Sequence, residues 1–147
     1  MEKTDITLFD KNDIEGLVKI EGECFSIPFK EKDFYDLYES DISNVLVAKI
    51  GNDVVGYVSF TIILDECQII NFAVSSDYRR QGIGRKIMDA LLTLGKEKGV
   101  TKYFLEVRVS NASAIALYKG FGFCAVGTSK NHFKLPTEDA LLMNLEL

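Results

Sequence analysis

IINFAVSSDYRRQGIG, residues Ile69 to Gly84, changes character halfway along. Ile69, Ile70, Phe72, Ala73 and Val74 form a short apolar run suited to a buried strand. Arg79-Arg80-Gln81-Gly82-Ile83-Gly84 then opens the longest stretch of helical periodicity in the chain. Ile83, Ile87, Met88, Leu91 and Leu92 fall on one face, and Gly99 marks its end. A strand that feeds a glycine-bearing turn at the head of a helix makes backbone N–H groups converge, which is how proteins bind phosphate and other anions. Arg79, Arg80, Arg85 and Lys86 add a local basic knot to that turn.

The rest of the chain supports one domain spanning 1–147, of ordinary length and able to bury a core. Its 47% hydrophobic and 27% charged residues argue against disorder. The 17 basic against 22 acidic residues leave −5, which argues against direct nucleic-acid binding. No apolar run reaches membrane-spanning length, and MEKTDITLFDK lacks a signal-peptide pattern, so the expected location is the cytoplasm. Cys24, Cys67 and Cys124 are odd in number and widely spaced, as reduced core thiols are. With His132 the only histidine, no metal site is expected. Oligomeric state is not encoded legibly.

Working outward, Ile6, Leu8 and Phe9 suggest a first strand, and Asp13 can cap a helix carrying Ile14, Leu17, Val18 and Glu21. After Pro28, Phe34, Leu37 and Tyr38 mark a second short helix. Asp33, Asp36, Glu39 and Asp41 form either a solvated face or an attractant for a basic peptide. Val45–Ile50 and Val54–Leu64 flank Gly51-Asn52-Asp53 as a hairpin, and Gln68–Val74 completes a meander. Beyond the long helix, Tyr103–Val107 is a strand, and its helical connection implies parallel pairing with Gln68–Val74. Asn111 can cap a last helix with Ala114, Ile115, Leu117 and Tyr118, ending at Gly120. Phe121–Gly127 is a strand; Glu138–Leu147 has helical propensity, but its position predicts a strand beside it.

The glycine turn fails two familiar phosphate tests. A Walker A loop needs Lys-Ser/Thr after its second glycine, and Gly84 is followed by Arg85-Lys86-Ile87. The dinucleotide fingerprint needs a third glycine where Ile87 stands. What remains is R-x-x-G-x-G, which by itself is equally compatible with a tight turn that binds nothing.

Six pieces in order carry a more specific pattern: CFS-x-P (Cys24–Pro28), N-x-AV (Asn71–Val74), RRQGIGR (Arg79–Arg85), LEVR-x-SN (Leu105–Asn111), A-x-x-LY-x-x-x-GF (Ala114–Phe123) and EDALLM (Glu138–Met143). Over nearly its whole length the chain resembles the GNAT superfamily of acetyl-CoA-dependent N-acetyltransferases, and within it the group that acetylates the N-terminus of a ribosomal protein. The resemblance implies an α/β (α+β) fold with a mixed, mostly antiparallel sheet of about seven strands and four flanking helices. It also implies a central splay for acetyl-CoA between Gln68–Val74 and Lys102–Val107. Two positions depart from the family: Phe29 stands where tryptophan is usual, and Asn131-His132-Phe133 where a Tyr-Tyr pair is usual. Both lie where the acceptor would bind.

By the same resemblance, the amides of Gln81, Gly82, Ile83 and Gly84 hold the coenzyme A pyrophosphate, with Arg79, Arg80 and Arg85 beside them. Helix N-terminal amides and the macrodipole suit an anion, and glycine allows close backbone approach. Backbone of Phe72, Ala73 and Val74 pairs with the pantetheine arm as an added strand. Asn111 contacts the cofactor, caps its helix, or does both. Glu106 becomes the general base, directly or through a water; its alternative is an ion pair with Arg108. Tyr118 becomes the general acid for the coenzyme A sulfur, its alternative being a plain core aromatic. An α-amine near pKa ~7.7 is neutralised for roughly 3.5 kcal/mol less than a lysine near ~10.4, which leans towards a protein N-terminus, such as a ribosomal protein's, as acceptor. A small amine or lysine acceptor, and a non-catalytic acyl-CoA-binding module, are the competing possibilities.

Overall fold

Val45-Leu46-Val47-Ala48 shows how this chain builds its core. All four are buried, but Val45 and Val47 join Phe9, Leu17, Ile20, Phe34 and Tyr57 on one face, while Leu46 and Ala48 join Ile83, Ile87, Met88 and Leu91 on the other. Side chains alternate across a strand, so an unbroken apolar run signals a sheet covered on both faces.

The computed structural model describes residues 3–147. Met1 and Glu2 of the opening segment lie outside the described residues. β1 (Thr4–Leu8) leads through a 3-10 turn (Lys11–Asp13) into α1 (Ile14–Cys24) and α2 (Glu31–Glu39). The meander β2 (Ser43–Ile50), β3 (Asp53–Ile63) and β4 (Glu66–Val74) follows. Then come α3 (Ile83–Glu97), β5 (Lys102–Arg108), α4 (Ala112–Gly120), β6 (Cys124–Phe133) and β7 (Glu138–Glu146). The strands form one seven-stranded sheet in the order β1-β2-β3-β4-β5-β7-β6, with β4–β5 the only parallel pair among the described residues. This is the mixed, mostly antiparallel sheet with four helices that the sequence predicts. β7 lies between β5 and β6, and pairing on both sides overrides its helical propensity.

β4 and β5 pair for only three residues, Glu66↔Lys102, Cys67↔Tyr103 and Gln68↔Phe104, and then part. The parting coincides with a bulge in β4. The register steps from Phe60↔Ile69 to Ser59↔Asn71, leaving Ile70 without an opposite partner, and the Asn71 amide donates to Ser59 Oγ at 3.0 Å. A bulge bends its strand and increases the local twist, so it turns Asn71–Val74 away from β5.

Some local expectations need correction. Asp13 does not cap α1. Asp10 caps the preceding 3-10 turn, and the Asp13 carboxylate accepts the Asp10 amide and pairs with Lys49, because the chain enters the helix through that extra turn. Cys67 is buried, but Cys24 is half-buried and Cys124 exposed, so only one of the three is a core thiol. β6 begins at Cys124 rather than Phe121, since Gly122 at φ 100° turns the chain out of α4 first.

α3 crosses β5 closely at Gly95, where an added Cβ would overlap the Tyr103 hydroxyl. That hydroxyl is buried and has no hydrogen-bond partner, so it has no better position to move to. Gly95→Ala gains about 1 kcal/mol of helix propensity but overpacks a filled site, which costs about 1–3 kcal/mol. The expected result is a net loss of stability, measured as a lower urea midpoint with unchanged m-value.

Candidate active site

Where β4 and β5 part, two clefts open and meet. The larger, about 910 Å³, is lined by Phe72, Ala73 and Val74 of β4, by Arg79, Arg80, Gly82, Ile83, Gly84 and Arg85, and by Asn111. Ten of the eleven cofactor candidates therefore line one cleft; Gln81 is exposed and does not. α3 begins at Gly82, whose φ of 78° is the left-handed conformation glycine adopts freely. No side chain caps this helix and its first turn carries no acidic residue, so the N–H groups there are free for an anion. Arg80 holds φ 63°, a strained value for a residue with a side chain, directly beside them.

The three arginines differ in their tasks. Arg79 turns back, its Nε donating to the Val74 carbonyl at 3.2 Å and its terminal nitrogen reaching Cys24 Sγ at 3.4 Å. Arg85 stacks over Phe121, 5.3 Å from the ring centre. Arg80 makes no hydrogen bond or ion pair among the described residues. Asn111 caps α4 by accepting the Ala114 amide at 3.2 Å while its residue also faces both clefts.

The smaller cleft, about 370 Å³, holds both catalytic candidates, Glu106 and Tyr118. Glu106 lies within β5 with its side chain exposed towards the cleft, because β5 alternates and Leu105 and Val107 take the buried positions. It does not pair with Arg108, which bonds Glu138 instead; Glu106 has no ion-pair partner among the described residues. Tyr118 is buried, edge-on to Phe72 at 5.9 Å and tilted against Phe123 at 5.7 Å. Burial pushes its hydroxyl far above the ordinary tyrosine value, so it keeps its proton at any physiological pH. Cys24, Phe25, Phe72, Asn111 and Ala114 line both clefts, making one continuous trough.

Residues 14–123 match the acetyltransferase (GNAT) family. The chain belongs to the GNAT family. A Bacillus subtilis relative, provisionally named a ribosomal protein bS18-alanine N-acetyltransferase, is 37% identical over 132 residues, 89% of this chain and 87% of that one. The Escherichia coli ribosomal protein bS18-alanine N-acetyltransferase is 33% identical over 146 residues, 97% of each chain. A crystal structure of the Escherichia coli ribosomal-protein-S18-alanine N-acetyltransferase superposes with a TM-score of 0.90 at 30% identity, covering 98% of this chain and 94% of that one. The chain is an acetyl-CoA-dependent N-acetyltransferase, and its similarity is to the RimI group of that family. The large cleft has the features such a GNAT co-substrate requires: free helix N-terminal amides, an unpaired arginine and an exposed strand margin.

Two features of this GNAT site escape sequence inspection. Arg108 fastens the acceptor side: it donates to the carbonyls of Lys134 at 2.8 Å and Pro136 at 3.0 Å, to Ser26 Oγ at 3.4 Å and to Glu138 at 3.2 Å. It also lies 4.7 Å from the Phe133 ring centre. The Glu138 carboxyl, which also accepts the Ser110 amide at 2.7 Å, is held below its ordinary value by Ser110 first and Arg108 second. The second feature is Glu21, fully buried in α1, whose carboxyl is pushed up to about 7 by burial, against the lowering effect of hydrogen bonds from Phe29 and Asn71 and with the Asp33 charge adding to the rise. Its helical spacing with Leu17 and Ile20 is the only signal in the sequence, and a carboxylate there reads as solvent-facing.

The Glu21 shift has a consequence for stability. Its folded value lies above its unfolded one, so the folded state holds the proton more tightly and stability falls as pH rises from about 4.5 to 7, then levels off. Glu21→Gln removes that titration. The stability difference between variant and wild type should therefore shift in the variant's favour by about 3 kcal/mol between pH 4.5 and 8, read by urea unfolding at each end.

Proposed function

We propose that this enzyme transfers the acetyl group of acetyl-CoA to the N-terminal α-amine of a protein, with alanine-initiated ribosomal protein bS18 as the acceptor. The observation that carries this is the agreement, over 97% of both chains, with a relative named for that acceptor, together with an acceptor cleft that joins the cofactor cleft at Phe72 and Asn111. Such an acceptor would put the enzyme in the cytoplasm. A protein chain of this kind arrives with its N-terminus extended, and the smaller cleft is open enough to take the first residues end-on.

In this assignment the amides of Gly82, Ile83 and Gly84 hold the pyrophosphate, with Arg80, which has no partner among the described residues, beside them and Arg79 and Arg85 bracketing the turn. Gln81, exposed outside the cleft, contributes at most its backbone. Phe72, Ala73 and Val74 offer backbone groups to the pantetheine arm. Acetyl-CoA supplies the thioester. Glu106, exposed to the acceptor cleft and free of any cation, takes the proton from the incoming ammonium, directly or through water. Tyr118 delivers a proton to the departing sulfur. Tyr118 is protonated throughout the physiological range, so the proton it would deliver is in place when the thiolate departs.

The assignments separate by kinetics. Tyr118→Phe and Glu106→Gln should each lower kcat about 10²-fold with acetyl-CoA affinity retained. Wild-type kcat/KM should rise to a plateau with no fall from Tyr118 below about pH 10, since its proton is lost only well above the ordinary ~10. Full turnover by Glu106→Gln would remove it as the base.

The acceptor is tested by incubating ribosomal proteins with the enzyme and isotopically labelled acetyl-CoA. Mass spectrometry should find the label on the N-terminal residue of bS18. Labelled polyamines or lysine side chains with unlabelled N-termini would overturn the acceptor assignment.

A further inference from the structure

Glu21 is fully buried, and among the described residues no cation lies within ion-pair reach of it. Burying a carboxylate without a cation is costly unless hydrogen bonds compensate. Here they come from two directions. The Phe29 amide donates to Oε1 at 2.7 Å, and the Asn71 side-chain amide donates to both oxygens at 3.3 Å. In addition, the Glu21 backbone carbonyl accepts the Phe25 amide at 3.0 Å, the bond that closes α1.

The Glu21 side chain therefore holds the segment between α1 and α2 at Phe29, while its Phe25 end is fixed by the last backbone bond of α1. Through Asn71 the side chain also holds β4 at the residue next to the bulge. Phe25, Ser26, Ile27, Phe29 and Asn71 all line the acceptor cleft, whereas of these only Phe25 also reaches the cofactor cleft. Glu21 itself lines neither. The Glu21 carboxyl oxygens accept from two separate elements; an apolar side chain of the same size would leave the Phe29 and Asn71 donors unpaired.

We propose that Glu21 is a positioning residue for acceptor binding: it fixes the Phe25–Phe29 segment against β4 from beneath and so sets the shape of the acceptor cleft without touching either substrate. This deepens the acceptor assignment made above and rests on it. The cofactor cleft shares only Phe25 with the gripped segment and is otherwise built from the Phe72–Val74 margin, the α3 turn and α4, so the larger consequence of loosening the grip falls on the acceptor.

The test is steady-state kinetics of the full chain with an N-terminal acceptor peptide. Glu21→Leu should raise the acceptor KM at least tenfold, with acetyl-CoA KM within twofold and kcat within threefold of wild type. Glu21→Gln keeps an oxygen for Phe29 but opposes the Asn71 donor, so it should raise acceptor KM by less. Adding Asn71→Asp to Glu21→Gln exchanges donor and acceptor across the pair and should lower acceptor KM again. An unchanged acceptor KM in Glu21→Leu, or equal rises for both substrates, would overturn the proposal. If Glu21→Leu does not fold, the Gln and Gln/Asp pair decides, and an absence of coupling between positions 21 and 71 counts against it. If the wild type acetylates no peptide N-terminus, the acceptor assignment fails on its own account, and the same KM ratio is read with whichever amine the wild type does accept.

Discussion

Both clefts of this molecule depend on β4 and β5 separating after three paired residues. A parallel pair that continued its ladder would satisfy its own backbone and leave no opening. The bulge at Ile70 ends the shared register, twists β4 away and leaves the Asn71–Val74 margin facing the gap rather than a neighbouring strand. The turn after β4 then brings the uncapped start of α3 to the same gap, because the loop between them is short and closes on the Val74 carbonyl through Arg79. Strand margin and helix terminus thus come from one continuous stretch of chain.

That continuity explains why the donor side is legible in the sequence. The apolar run of Ile69–Val74, the glycine at 82 and the arginines around it are local signals, and each maps to one local conformation. Element order, the parallel β4–β5 pair and the strand at Glu138 follow from the same kind of local pattern combined with connection rules. Gln81 is the exception on this side: motif position alone does not say which way a turn residue faces, and this one faces solvent.

The acceptor side is assembled differently. Its lining comes from the Phe25–Phe29 segment, from Glu106 on β5 and from the His132–Lys134 region. Nothing local in any of these segments encodes the others. Arg108 looks in sequence like a partner for Glu106 two residues away, yet it reaches across to Ser26, Lys134, Pro136 and Glu138. Its guanidinium has several fixed donors, and carbonyls at a loop offer more satisfaction than one neighbouring carboxylate on the same strand. The result leaves Glu106 without an ion-pair partner among the described residues.

Glu21 and Arg108 can be seen as the two fasteners of one wall. Arg108 bonds Ser26 and the β6–β7 connection from the open side; Glu21 bonds Phe25, Phe29 and Asn71 from the buried side. Phe29 and Phe133, which fall at the two places (Phe29 and Asn131-His132-Phe133) where the sequence departs from the GNAT resemblance, are attached to these fasteners, one through its amide to Glu21 and the other under the Arg108 guanidinium. The backbone path of the wall is therefore specified by hydrogen bonds and an ion pair that do not depend on which aromatic side chain occupies either place. Substituting the side chain alters the surface offered to the acceptor while the frame persists. The two clefts nevertheless share Cys24, Phe25, Phe72, Asn111 and Ala114, so part of the frame of one is also the frame of the other.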